Sequence, residues 1–322
     1  MKASLGFGLK GRVESIQVLE RGIIVREYDG FDNLILDNGL EMVAFNAVAA
    51  LFSAAAIGTG NTVPANNQVA LTSEAARTQT LFAAGTTNST PETFIFSRTF
   101  DFIEGTLNGN YTELGFSNSS TANAPLFSRV LIQSSGVPTA ITVTSTQRLR
   151  VKYSLTVTFG PTANQNFNVN FGGNWGAVAG VSKLQRTNNE NVLIVSGSGA
   201  VVGGYGSGSL EPSQTGYMFV STSNAVLAAV GSQSDRQSGE VFTQGGPPGS
   251  GPPSIILSPY IGNSKQRKKT VSFDVNTANH AFGSFGLGPA GSQGFTCVPS
   301  LVKTKSNLET VTLEFTLSWA RV

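Results

Sequence analysis

The chain has 322 residues, of which only 12% are charged, and its 21 basic and 19 acidic residues nearly cancel. This balance argues against nucleic-acid binding, which needs a clustered basic excess. The most apolar run, 43–57, is interrupted by Asn46 and Ser53 and is shorter than a membrane-spanning helix, so we expect no membrane insertion. No apolar secretory segment follows Met1, and we expect no export signal. The single cysteine, Cys297, cannot form an internal disulfide, so folding does not require an oxidising compartment.

The first part of the chain predicts a hairpin followed by a helix. Strand-like segments over 12–19 and 23–28 flank a turn at Glu20-Arg21-Gly22. The segment Asp37-Asn38-Gly39 contains residue types that begin helices, and apolar residues then recur at helical spacing. We therefore predict a helix over about 39–52, the only substantial helix in the chain.

A row of phenylalanines marks a principal core strand. Phe94, Phe96, Phe100 and Phe102 all have the same parity, which places them on one face of a strand. The segment Asn108-Gly109-Asn110 then gives a hairpin turn signal. We expect these four rings to be mostly buried.

A long alternating strand occurs twice. Apolar residues take every second position from Leu149 to Phe159, and the same pattern returns from Val311 to Trp319. Alternation of this length predicts antiparallel strands with one buried and one solvated face. Tyr153 and Phe315 hold equivalent places in the two strands, and we expect the apolar side chains Tyr153, Leu155 and Val157 to be buried.

The similarity extends upstream of both long strands. The segment Arg98–Asp101 has an echo at 270–274, and Leu114-Gly115-Phe116 has one at Phe285-Gly286-Leu287. Insertions and deletions in loops explain why the spacing between these segments differs. The sequence therefore predicts an internal duplication, which is a statement about architecture.

We interpret the pattern as two diverged copies of one β-unit, over about 93–160 and 268–322. The predicted fold class is mainly β, with two β-sandwich-like antiparallel domains built on the duplicated unit and one short helix near the N-terminus. The domains are expected at 1–162 and 163–322. The second begins with a Gly/Pro-rich variable insertion over about 163–265, whose composition disfavours helix and sheet.

The residues do not predict a catalytic, cofactor-binding or metal site, and we expect a protein without enzymatic activity or cofactors. The only histidine, His280, has no Cys, Asp or Glu beside it at a ligand-like spacing, and the common hydrolase and phosphate-loop motifs are missing. Asp101 and Glu104 form a carboxylate pair of the kind that hydrolyses glycosidic bonds, but a β-protein of this size contains several such pairs.

One basic run offers a tentative surface contact: Lys265, Arg267, Lys268 and Lys269. One interpretation is a solvated loop that precedes a strand. The other is contact with an anionic partner, such as a neighbouring subunit or a lipopolysaccharide. The sequence leaves both open.

Several short motifs, taken in order, resemble those of appendage proteins of tailed bacteriophages. They are Asn33-Leu34-Ile35, Asn38-Gly39-Leu40, Gly58-Thr59-Gly60-Asn61, Glu113-Leu114-Gly115-Phe116 and Phe127-Ser128-Arg129. The resemblance covers about residues 10–160 and the terminal strand that ends in Trp319-Ala320-Arg321. The middle of the chain has no counterpart in it.

The resemblance implies a structural subunit of the virion tail, in a tail fibre, a tail tip or a baseplate-associated position, synthesised in the host cytoplasm. Three-fold fibres are common in that group, so it implies a homo-oligomer, as a trimer, with other phage tail proteins as partners. The N-terminal domain would attach to the tail. The insertion at 163–265 would be the part that touches a host surface glycan or a neighbouring fibre.

Other functions remain open. A carbohydrate-binding module that recognises host surface polysaccharide would grip sugar rings with exposed aromatic residues, for example Trp175, Tyr205 or Tyr217. A head decoration or fibre protein would share the requirement for assembly. A polysaccharide depolymerase would need clustered acidic residues in a groove, for which the sequence gives the least support.

Overall fold

The computed structural model describes residues 2–46, 50–90, 93–159, 165–170, 177–184, 217–221, 254–275, 281–282, 284–288, 295–299, 303–304 and 306–322. The chain divides into two compact units. The N-terminal unit comprises Gly8–Ser89, Thr93–Thr158 and Trp319–Val322. The C-terminal unit comprises Met1–Phe7, Thr90–Glu92 and Phe159–Ser318. The predicted mainly-β fold class is confirmed, because strands greatly outnumber helices among the described elements.

The first half of the chain contributes thirteen strands and one helix to these units. In chain order they are β1 (Lys2–Glu20), β2 (Ile23–Ile35), α1 (Asp37–Met42), β3 (Ala54–Gly58), β4 (Glu74–Thr78), β5 (Leu81–Thr90), β6 (Thr93–Phe102), β7 (Gly109–Tyr111), β8 (Glu113–Ser117), β9 (Ser128–Leu131), β10 (Gln133–Ser134), β11 (Val137–Pro138), β12 (Ile141–Val143) and β13 (Gln147–Phe159).

The described strands of the second half are shorter, apart from the last. They are β14 (Gln165–Asn170), β15 (Ala177–Leu184), β16 (Tyr217–Ser221), β17 (Ser254–Leu257), β18 (Gln266–Phe273), β19 (Ala281–Phe282), β20 (Ser284–Gly288), β21 (Phe295–Pro299), β22 (Lys303–Thr304) and β23 (Val311–Arg321). Much of the predicted insertion at 163–265 lies outside the described residues.

The main strands of the N-terminal unit form a curled sheet. Its strand order is β5–β6–β13–β1–β2–β9–β8–β3–β4. β4, at one end of this series, approaches β6 near the other end, and the backbone N–H of Asp101 in β6 donates to the carbonyl of Thr80, which follows β4, at 2.9 Å. The hydroxyl of Thr78 also donates to the Asp101 carbonyl at 3.0 Å. The curl therefore encloses the inner face of the sheet.

The enclosed face carries the apolar core that the alternation predicts. Phe96, Phe100 and Phe102 are buried, as are the predicted side chains Tyr153, Leu155 and Val157 of β13, so the expected burial of these six is confirmed. The ring of Tyr153 stacks on Phe116 with centroids 3.9 Å apart and meets the edge of Phe52 at 5.2 Å. The side chain of Phe94 lies outside the described part of the structure.

The predicted helix over 39–52 is corrected to α1, which begins at Asp37 and ends at Met42. The side-chain amide of Asn46 donates to the carbonyl of Met42 at 2.8 Å, and the chain continues as turns. The apolar residues at helical spacing are nevertheless buried, since Val43 and Ala44 pack in the core. The periodicity therefore reflected a buried irregular segment that follows one short helix.

Residues 319–322 belong to the N-terminal unit, where they bind residues of α1 and β1. The indole N–H of Trp319 donates to the carbonyl of Leu40 at 2.7 Å, in a contact between residues 279 positions apart. The backbone N–H of Val322 donates to the carbonyl of Leu9 at 3.0 Å. Arg321 forms an ion pair with Asp37. The end of β23 thereby completes this unit.

The strand-pairing order of the N-terminal unit recurs in the C-terminal unit. The sheet β14–β15–β21–β20–β16 corresponds strand for strand to β1–β2–β9–β8–β3. The series β17–β18–β23 corresponds to β5–β6–β13, and the pair β19–β22 corresponds to β7–β12. The repeated unit is therefore longer than the predicted 93–160 and 268–322, because β14 to β17 lie in the stretch predicted as an insertion.

The cross-strand register supports the predicted equivalence of Tyr153 and Phe315. Tyr153 lies opposite Arg98, and Phe315 lies opposite Lys269. The predicted echo between Arg98–Asp101 and 270–274 is offset from this register by two residues, because Phe273 pairs with Val311, which occupies the place of Leu149. Phe273 therefore corresponds to Phe102, and the similarity to Phe100-Asp101 arose from local composition.

Candidate functional site

The charged centre of the N-terminal unit is a buried ion pair between Glu113 of β8 and Arg129 of β9. Both side chains are fully buried, and the guanidinium donates to the carboxylate through Nη2 at 2.7 Å and Nε at 3.0 Å. β8 and β9 are adjacent antiparallel strands, and Gly115 lies directly opposite Arg129. A buried charge pair is stable only when its remaining donors and acceptors are also satisfied.

The remaining hydrogen bonds of this pair hold the loop over residues 59–73. The carboxylate of Glu113 accepts from the backbone N–H groups of Gly60, Thr72 and Ser73 at 2.9 to 3.1 Å. The Arg129 guanidinium donates to the Thr62 carbonyl at 2.8 Å, the Gln68 side-chain oxygen at 2.5 Å and the Thr72 hydroxyl at 3.0 Å. A loop of this length without regular structure is unusual in a compact unit, and here one ion pair fixes both of its ends.

The glycines of this loop leave space for the carboxylate. A Cβ on Gly60 would lie 2.4 Å from Oε1 of Glu113 and 2.4 Å from the Cβ of Thr72. A Cβ on Gly58 would lie 2.4 Å from the Ser73 carbonyl. The sequence Gly-Thr-Gly is therefore explained by close approach to Glu113.

The ion pair also sets the charge state of Glu113. Burial raises the pKa of this carboxyl, whereas the hydrogen bonds from Ser73, Arg129 and Thr72 lower it. The net effect holds the pKa of Glu113 below its ordinary value. Because both carboxylate oxygens already accept hydrogen bonds and neither side chain is exposed, the pair is built to position the chain and has no free atom for acid–base chemistry.

Three of the short sequence motifs meet in this network. Gly58-Thr59-Gly60-Asn61 supplies Gly60, Glu113-Leu114-Gly115-Phe116 supplies Glu113 and Phe127-Ser128-Arg129 supplies Arg129, whereas the remaining members come from the rest of the loop. The helix-start motif is adjacent, since the Asn38 side chain donates to the Leu126 carbonyl at 3.1 Å and a Cβ on Gly39 would lie 2.0 Å from the Phe127 carbonyl oxygen. Sequence reasoning identified the motifs but did not predict that they meet.

The C-terminal unit lacks the equivalent charges. Gly286 pairs with Thr296 as Gly115 pairs with Arg129, so Thr296 occupies the arginine position. Ser284 then occupies the position of Glu113. An ion pair equivalent to Glu113–Arg129 therefore cannot form at these two positions of the C-terminal copy.

The carboxylate pair proposed from sequence is neutralised by two arginines. Arg150 donates to Asp101 from Nε at 2.8 Å and Nη2 at 3.0 Å, and Arg148 donates to Asp101 at 3.2 Å and to Glu104 at 3.0 Å. Hydrogen bonds from its own backbone and from Arg148 hold the pKa of Glu104 below its ordinary value. A glycosidase acid needs a raised pKa, so this geometry favours a structural cluster on the outer face of the sheet.

The predicted basic contact is divided between a turn and a strand. Lys265 lies in the turn before β18 with a φ of 51°, and its backbone N–H donates to the Tyr260 hydroxyl at 3.3 Å. Arg267, Lys268 and Lys269 are consecutive positions of β18 and pair with Leu317, Thr316 and Phe315 of β23. Consecutive strand positions alternate between two faces, so the four residues do not form one continuous loop surface.

Other residues singled out in the sequence give no site. His280, Trp175 and Tyr205 lie outside the described residues, while Tyr217 lies in β16 and Cys297 lies in β21 opposite Ser182 and Phe285. Where the structure describes side chains, no group of three or more His, Cys, Asp or Glu is placed to hold a metal ion. None of the described helices has the length and apolar character needed to cross a membrane.

Comparison with known proteins gives no further assignment. No family model matches the chain, and no curated protein or solved structure matches it.

Proposed function

We propose that this chain is a non-enzymatic structural subunit of a bacteriophage tail, as a component of a tail fibre or tail tip. It assembles with copies of itself and with other tail proteins and contributes to host attachment. The motif resemblance supplies the class of protein and the expectation of a trimer. The observation that carries the requirement for assembly is the edge strand β5.

β5 lies at one end of the curled sheet, where it pairs with β6 and with no other strand that the structure describes. Its sequence, Leu81 to Thr90, contains neither a charged residue nor a proline. Leu81 is 43% exposed and Phe82 is 61% exposed. Monomeric proteins protect edge strands with charges, prolines or bulges, because an open edge pairs readily with other chains. An edge without these features suits a subunit whose edge is covered on assembly.

The buried ion pair supports a structural role. The fully buried side chains of Glu113 and Arg129 bind each other and the loop over residues 59–73. The carboxylate pair that suggested hydrolysis is occupied by Arg148 and Arg150. The motifs that resemble those of phage appendage proteins therefore have an architectural role in this chain, which supports a virion protein without catalytic activity.

Two lysine substitutions test the assembly step. Ala84→Lys places a charge on the open edge, and Ala65→Lys places the same charge on the exposed part of the 59–73 loop. Because pairing of the edge would desolvate the new ammonium group, we expect Ala84→Lys to weaken self-association at least tenfold in sedimentation experiments. Ala65→Lys should sediment as the unmodified chain does.

Labelling of the chain in purified particles tests the location. We expect the label at the tail. A chain that stays monomeric at high concentration and is absent from intact particles contradicts the proposal, and a carbohydrate-binding module for host polysaccharide then becomes the better explanation.

A further inference from the structure

Arg98 occupies a core-facing position of β6. It has the same parity as Phe96, Phe100 and Phe102, all of which are buried on the inner face of the sheet. Its partner across the strand pair is Tyr153, which is also fully buried. A cation therefore interrupts an otherwise apolar row, and unlike its buried neighbours Arg98 stays partly exposed.

The guanidinium of Arg98 lies against an aromatic ring and forms no ion pair with any residue that the structure describes. Its central carbon is 5.6 Å from the centroid of the Phe52 ring, within the range of a cation–π contact. Within the described residues, no carboxylate, carbonyl or hydroxyl accepts a hydrogen bond from it. Burial alone lowers the pKa of Arg98, with no opposing contribution from an acidic neighbour. By contrast, Arg129, Arg148 and Arg150 each bind a carboxylate.

A basic residue recurs at the same position of the C-terminal copy of the duplicated unit. Lys269 lies opposite Phe315 in the pairing of β18 with β23, as Arg98 lies opposite Tyr153 in the pairing of β6 with β13. The residues at the positions of Glu113 and Arg129 differ between the two copies, whereas the position of Arg98 holds a basic residue opposite an aromatic one in both. Partial burial of a cation without a partner costs free energy, so the placement of Arg98 indicates a use.

We propose that Arg98 is the binding residue for an external carboxylate, which docks against the guanidinium beside the ring of Phe52. The planar guanidinium presents five N–H donors and binds a carboxylate through two parallel hydrogen bonds. One carboxylate neutralises one arginine, whereas a phosphate carries about 1.5 to 2 negative charges and would leave excess charge among Phe52, Phe96 and Phe100. The carboxylate belongs either to a free acidic ligand or to an Asp or Glu side chain of another molecule of this protein.

The first arm of the test uses acetate as the probe. In the full chain carrying isotope-labelled arginine, the side-chain NMR signal of Arg98 is followed while sodium acetate replaces sodium chloride at constant ionic strength. We expect a saturable shift at Arg98 and only a small linear shift at Arg21, which is exposed in the β1–β2 turn. Sodium phosphate should saturate the Arg98 signal at least tenfold less effectively than acetate.

The second arm tests a carboxylate supplied by another molecule of this protein. Arg98→Met keeps the apolar contact with Phe52, and Arg21→Met is the matched control. If the carboxylate is a side chain of another molecule of this protein, Arg98→Met weakens self-association at least tenfold and Arg21→Met does not. Arg98→Lys, which retains the charge but loses the planar pair of donors, serves in place of Arg98→Met if the latter fails to fold.

Two outcomes uphold the proposal. A saturable acetate response confined to Arg98 indicates a free acidic ligand, and a selective loss of self-association in Arg98→Met indicates a side chain of another molecule of this protein. The absence of both overturns it. Tighter saturation by phosphate than by acetate also overturns it, because the ligand is then not a carboxylate.

Discussion

Removing Glu113 should destabilise the N-terminal unit by more than any exposed charge does. Glu113→Ala deletes the acceptor for Arg129 and for three loop N–H groups while leaving the arginine charged and fully buried. Breaking one side of a buried pair costs about 3–5 kcal/mol. Opening of the loop lets water reach the orphaned amides, which keeps the expected cost within that range.

Removing both charges should cost less than the two single changes together. The double variant Glu113→Ser with Arg129→Thr installs the residues found at these positions in the C-terminal unit, Ser284 and Thr296. No uncompensated charge then stays buried, so we expect a coupling energy of about 1–3 kcal/mol in favour of the double variant.

Unfolding by urea measures these costs through the fluorescence of Trp319, which is buried in the N-terminal unit. The other tryptophan, Trp175, is replaced by Phe in every variant so that the signal reports one unit. Hydrogen exchange of the Gly60 and Ser73 amides then follows the loop itself, and these should exchange faster in Glu113→Ala.

The exposed pair of Lys10 and Asp32 provides the control, since their side chains are 50% and 59% exposed. Asp32→Ala should cost less than about 1 kcal/mol. A cost below about 1 kcal/mol for Glu113→Ala would refute the reasoning, as would strict additivity of the two single substitutions.

Three further outcomes follow from the same structure. Because folding lowers the pKa of Glu113, the stabilisation from its carboxylate is fully present above the ordinary pKa of 4.5. This stabilisation should be lost as the pH falls through the folded pKa, and Glu113→Gln should flatten that part of an acid-unfolding curve. Phe100→Ala should cost about 3–5 kcal/mol in urea unfolding, because Phe100 is fully buried beside Phe116; a loss under about 1 kcal/mol would mean that β6 is paired in another register. Gly60→Ala should cost about 1–3 kcal/mol, because the added Cβ collides with Glu113 and Thr72, and an unchanged unfolding midpoint would contradict the loop geometry.

The long strands were predictable because one of their faces is buried in the core and the other faces solvent. In β13, every second residue from Leu149 to Val157 is buried, whereas the intervening Lys152 is exposed, so hydrophobic periodicity reports the apolar face directly. Ser154 is an exception, since it lies on the other face and is buried. Strands such as β15 (Ala177–Leu184) have small residues and no alternation, and they escaped prediction. The helix was overestimated because buried turns produce the same apolar spacing as a helix over a few residues.

The buried ion pair needed contacts that sequence alone does not contain. Glu113 and Arg129 each stand in a recognised motif, but nothing in the spacing says that their side chains meet or that they bind a loop. A signal was nevertheless present, since Glu113 begins a five-residue strand in which every position is buried. Arg98 carried a similar signal, as the one charged position in the row of phenylalanines.

The contact of Trp319 with Leu40 has a consequence for biosynthesis. The N-terminal unit draws its last strand segment from residues 319–322, so the ribosome must complete the C-terminal unit before the first one can close. Until then, the Leu40 carbonyl lacks its indole donor and the Leu9 carbonyl lacks the Val322 amide. The nascent chain must therefore hold an incomplete sheet through most of translation, and closure of such a distant contact slows folding. Chains interrupted before residue 319 should accumulate with an open first unit, which proteases should cleave more readily than the first unit of the complete chain.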